Sequence, residues 1–154
     1  MAYRIEGLDP APFAPLFALT DDELARRGAV RMAVSEQPGF PCRVSLDDVP
    51  AGGTVILLNH VSHDVANAYR ASHAIFVGEG ARPGRFEDQV PPALERRMLS
   101  LRAFDSAGMM VDAALAGPGA ADPAIRGLFE RADVAYIHAH NAVRGCFAAR
   151  VDRR

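Results

Sequence analysis

The chain predicts an α+β domain, a largely antiparallel sheet with a few short helices, and three observations carry that expectation. Apolar and polar residues alternate with period two in several stretches. Short apolar runs are bounded by Gly, Pro, Asn and Asp, and helical spacing is confined to two short segments. Successive strands are joined by turns rather than by long crossovers, so hairpin pairing should dominate. The 154 residues fit a single domain over 1–154, large enough to bury a core without a disulfide or metal.

Tyr3 and Ile5 suit a short first strand, and the proline-dense stretch 9–17 reads as turns. Thr20 and Glu23 form a capping box for a helix at 21–27, which Gly28 stops. Val30, Met32 and Val34 alternate with Arg31, Ala33 and Ser35 as in a half-buried strand. Pro38-Gly39 fits a type II turn. Beyond it, Cys42, Val44 and Leu46 share one face, opposite Arg43 and Ser45. The apolar run at 54–58 predicts a strand over 54–59 buried on both faces, and 73–77 a second of that kind. Residues 78–92, rich in Gly and Pro, read as irregular. Residues 98–104, a turn at 105–108 and the stretch from 109 onward predict a hairpin. Asp122 caps and Pro123 opens a helix over 123–131. Strands at 134–140 and 146–151, joined by the loop 141–145, close the chain.

Composition excludes several functions. The net charge of −2 offers no concentrated basic face for nucleic acid. No apolar run is long enough to span a bilayer and no amphipathic helix suits a membrane surface. The 17 basic residues are all arginine. Without lysine there is no pyridoxal phosphate enzyme, no Schiff base and no P-loop nucleotide site. The N-terminus lacks the apolar core of a signal peptide, and Cys42 and Cys146 form no CxxC pair. A cytoplasmic protein with reduced thiols is expected.

Three phrases, at 38–45 (PGFPCRVS), 69–77 (YRASHAIFV) and 136–150 (YIHAHNAVRGCFAAR), resemble a family of small bacterial proteins catalogued as a domain of unknown function. The resemblance runs over most of the chain. It implies a bacterial single-domain protein and brings no reaction, cofactor or catalytic residue.

Two segments hold the candidate chemistry. Residues 60–73 read as a loop between two apolar strands, gathering three histidines with Asp64, Tyr69 and Arg70. Loops held by rigid strands are where binding residues concentrate. Arg70 can grip a carboxylate or phosphate with its planar fork, Tyr69 can flank the ligand, and His63 with Asp64 can move a proton. Arg43, more readily a solvated side chain, is a third candidate contact.

In the closing hairpin, Tyr136, His138 and His140 share a face. A symmetric loop would set His140 opposite Cys146, His138 opposite Ala148 and Tyr136 opposite Arg150. That arrangement suggests a divalent metal such as zinc on His138, His140 and Cys146, with a fourth ligand from Cys42, His60, His63 or His73. A satisfied structural cluster is the plainer explanation. Two function classes therefore fit. One is a domain binding a small anionic molecule, with or without catalysis, in a pocket made by 60–73 and 136–146. The other is a non-catalytic interaction module or homodimer that uses a sheet face or edge.

Overall fold

The computed structural model describes residues Met1–Arg154. Nine strands and three short α-helices follow in the order β1 (Tyr3–Glu6), α1 (Asp21–Arg26), β2 (Val30–Ala33), β3 (Thr54–His63), β4 (Ala71–Gly78), β5 (Arg85–Glu87), α2 (Pro92–Glu95), β6 (Leu99–Phe104), β7 (Met110–Ala116), α3 (Ala121–Phe129), β8 (Tyr136–Asn141) and β9 (Phe147–Arg153). They build a six-stranded sheet, ordered β5-β1-β9-β8-β6-β7, and a three-stranded sheet, ordered β2-β3-β4. All pairings between these strands are antiparallel. The α+β expectation holds. No helix is long and apolar enough to cross a membrane.

Alternation decides what each face does. Along β6 and β8, Leu99, Leu101, Ala103, Ile137 and Ala139 point to one face. There they meet Leu94 of α2 and Ile125, Leu128 and Phe129 of α3 in the main core. The residues between them, Ser100, Arg102, Phe104, Tyr136, His138 and His140, lie on the opposite face in register with one another. Helices α2 and α3 therefore cover one side of the large sheet, and the small sheet approaches the other. A second apolar cluster packs Ile75 and Val77 of β4 against Phe13, Cys42 and Val44, and Ile56 of β3 packs with Leu24 of α1.

Several local expectations need correction. The capping box on α1 forms as read, and Gly28 takes the positive φ of a helix stop. In contrast α3 is capped by Ala120, and Asp122 lies inside its first turn. The Asp122 carboxylate is used by the Tyr3 hydroxyl at 2.7 Å and by Arg126. Residues 42–46 form no strand, because their backbone bonds go to Leu8, Phe76 and Gly84 in turn, while Leu46 turns the chain with φ 59. Gly39 lacks the positive φ that a type II turn needs, and residues 85–87 form a strand where irregular chain was expected. In β2 the inward side is Arg31, bonded to Asp21 and to the Phe17 and Leu19 carbonyls, while Val30 is exposed.

Candidate functional site

The segment 60–73 is mostly strand: β3 runs to His63, β4 starts at Ala71, and His60 lies directly across from His73. Only 64–70 is a loop. Its polar residues do not end the strands because their side chains face a polar layer between the two sheets. A β-bulge between Val61 and His63 is what completes that face. Three residues apart, His60 and His63 would point to opposite sides of a regular strand; the extra residue brings His63 round to the face of His60 and His73.

All five histidines of the chain meet in that layer. The His63 ring centroid lies 5.0 Å from that of His138, and His73 lies 4.8 Å from His140. His138 and His140 are 6.4 Å apart, and Phe147 closes the far side at 6.2 Å from His60. Phe104 stacks on Tyr136 at 5.4 Å and touches His63 at 4.2 Å.

The hydrogen bonds sort these rings into used and free. His63 Nδ1 donates to the Tyr69 carbonyl at 2.8 Å, which makes Nε2 of the neutral ring an acceptor for the Tyr136 hydroxyl at 2.7 Å. Both nitrogens of His63 are thus engaged, and the Asp64 carboxylate pairs with Arg70 instead. The His63–Asp64 proton shuttle does not form. His73 Nδ1 bonds Ser62 Oγ at 2.8 Å, and His140 Nδ1 donates to the Gly145 carbonyl at 3.0 Å. His138 is only 2% exposed, and its nitrogens bond no protein group; they are not shut in, since the one fully buried side-chain nitrogen or oxygen without a partner is Arg4 Nε.

His63, His138 and His140 line one concavity of about 180 Å³ together with Tyr69, Arg70 and Arg102. Arg70 sits at its rim, half-exposed and paired with Asp64. Arg102 projects from β6 directly beside His138 and has no acidic partner. No Asp or Glu lines the concavity. The electrostatics follow. Burial, then the charges of His63, Arg150, His140 and Arg102, pushes His138 down to about 3. Burial, opposed in part by the Gly145 carbonyl and reinforced by Arg102, His73 and Arg43, pushes His140 down to about 4. Burial also lowers His60, with His73 adding to it, and lowers His73, with Arg102 and Arg43 adding to it. His60, His73, His138 and His140 are therefore neutral at neutral pH, beside a guanidinium without a counter-charge.

The metal set expected in the hairpin does not assemble. The strand register slips by one at a bulge between Ala139 and His140, so His140 faces Phe147 and His138 faces Arg150. Tyr136 faces Asp152. Cys146 falls outside the ladder, where its backbone carbonyl bonds Asn141. No group of three His, Cys, Asp or Glu side chains is arranged to hold a metal ion. The Cys146 sulfur instead accepts from Arg43 Nη2 at 3.1 Å and Asn141 Nδ2 at 3.5 Å.

Arg43 is not solvated. It is 2% exposed and donates to the Phe147 and Pro41 carbonyls at 2.7 and 2.6 Å. Arg43 and Cys146 line a separate concavity of about 780 Å³. Cys42 is buried, as its apolar neighbours imply, and both cysteines are free thiols.

Sequence reasoning missed Arg102. Its signal was present, a lone arginine alternating with Leu101 and Ala103 in an apolar strand. Its neighbour across the ladder, His138, follows from a pairing of β6 with β8 that no local pattern announces.

A model of the family described as "Protein of unknown function (DUF1203)" matches residues 39–153. The chain belongs to that family. Every side chain that lines the histidine pocket falls within the matched span of this DUF1203 protein. No curated protein and no solved structure matches the chain.

Proposed function

We propose that this DUF1203 domain binds a small anion in the pocket between the β3–β4 hairpin and strands β6 and β8. One observation carries the reading: Arg102, without an acidic partner, and His138, whose nitrogens bond no protein group, line the same concavity, and no carboxylate does. A small oxyanion in that concavity can accept from both side chains at once. Charge-assisted bonds from a guanidinium to an oxyanion are the strong kind. A volume of about 180 Å³ suits an anion of the size of a small carboxylate, sulfate or phosphate, and falls short of what drug-sized ligands occupy. Convergence of the polar side chains in a concavity favours a small ligand over the flat face of an interaction module. The free thiols agree with a reducing cytoplasm as its place of work.

The test is calorimetric titration of acetate, sulfate and inorganic phosphate into wild type, Arg102→Gln and Arg70→Ala, with folding checked by circular dichroism. Binding by wild type and a loss of tenfold or more in folded Arg102→Gln is expected, with a smaller loss in Arg70→Ala because Arg70 is half-neutralised at the rim. Equal affinity in wild type and folded Arg102→Gln would overturn the assignment.

A further inference from the structure

Resting on that reading, we propose that the pocket prefers a small doubly charged oxyanion to a singly charged one and takes up one proton with it, held on Nε2 of His140.

The argument is a count of charges and donors that reach the ligand. Arg102 brings one positive charge with no acid attached. The other cations nearby are committed. Arg70 is paired with Asp64 and Arg150 with Asp152. Arg43 is spent on two carbonyls and the Cys146 sulfur, and it lines the other concavity. His138 adds one N–H donor in its neutral form, from whichever nitrogen the ligand meets. A singly charged anion is therefore matched by Arg102 and His138 with no change in protonation.

A second negative charge needs a second cation, and the tautomers leave one place for it. His63 has both nitrogens engaged, by the Tyr69 carbonyl and the Tyr136 hydroxyl. His60 and His73 do not line the pocket. His140 does, and its Nδ1–H is fixed on the Gly145 carbonyl. In the neutral ring Nε2 therefore presents a lone pair, which repels an anion; once protonated, the same atom donates to it. Without a ligand, burial and the facing guanidiniums of Arg102 and Arg43, with His73 as a further competitor for a proton, keep that proton off. A dianion within hydrogen-bonding reach reverses the balance, since an opposite charge favours the charged form of its neighbour.

Sulfate and methanesulfonate separate the outcomes, because both stay fully ionised from pH 5.5 to 8 and differ by one charge. Titration of wild type in two buffers of different ionisation enthalpy counts protons directly. The expected result is about one proton taken up per sulfate, with sulfate affinity rising by up to about tenfold for each unit the pH falls. Methanesulfonate should bind more weakly, with no proton uptake and little dependence on pH. His140→Gln should flatten the sulfate profile, and where that variant fails to fold the wild-type proton count decides. Sulfate binding that is independent of pH, without proton uptake, overturns this proposal and leaves the anion pocket standing. Failure of both anions to bind at any pH overturns the pocket itself.

Discussion

Acid should weaken this fold well above the range where its carboxylates titrate, and the histidine layer sets the size of the effect. Two rings, His138 and His140, are held neutral with their values pushed down to about 3 and about 4, against about 6.5 in an unfolded chain. The folded value lies below the unfolded one for a base, so the unfolded state binds more protons as the pH drops. Stability is therefore intact above about pH 6.5 and is lost as the pH falls through 6 and 5 toward the folded values. At pH 5 each ring costs about 2 kcal/mol, and the pair about 4 kcal/mol. For a domain of this length that corresponds to a fall in Tm of roughly 10 °C. The assay is urea and thermal unfolding at pH 7.5 and 5.0, in a buffer without small dianions, for wild type and for His138→Gln/His140→Gln. Wild type should lose about 4 kcal/mol between the two pH values, and the double variant much less, whatever its starting stability. Equal stability of wild type at pH 7.5 and 5.0 would refute burial of these rings in neutral form.

The strands were legible because their chemistry is local. Alternation around Leu99–Phe104 and Tyr136–His140, the turn glycine at 108 and the capping box at Thr20 each announce an element from within a few residues. The site was legible only in part, because it depends on pairings between distant segments. His138 and His140 share a face by parity alone, and that much can be read from the chain. A single-residue bulge beside His140 then moves Cys146 out of the ladder, and another beside His63 brings that ring inward. Both bulges lie outside any pattern of period two. Arg43 shows the same limit from another direction. In a strand it would have pointed to water; in the turns at 42–46 it runs through the interior to the Phe147 carbonyl, 104 residues away in sequence.

Two further predictions test how the layer is held. Tyr136→Phe removes the hydroxyl that donates to His63 Nε2 and leaves a buried acceptor unpaired. A loss of about 1–3 kcal/mol in urea unfolding is expected, and a change below about 0.5 kcal/mol would show that the bond contributes little to the fold. The other concerns Asp48, whose side chain is fully buried and accepts from Arg96 at 2.8 Å and from Arg97 at 2.5 and 3.0 Å. Burial opposes ionisation of Asp48, but bonds from Arg97 and Arg96 outweigh it and hold the carboxyl below its ordinary range. Asp48→Asn removes the charge and keeps the shape, so it strands the mostly buried Arg97, while Arg96 keeps its pair with Asp47. Breaking a buried pair from one side typically costs about 3 kcal/mol or more; the exposure of Arg96 and its remaining partner Asp47 bring the expected loss to about 2 kcal/mol. Neither Asp48 nor its partners line the histidine pocket, so sulfate affinity of the folded variant should match wild type. Loss of sulfate binding in a variant that remains folded would mean that the pocket depends on this arginine cluster, and that the anion is not held by Arg102 and the histidines alone.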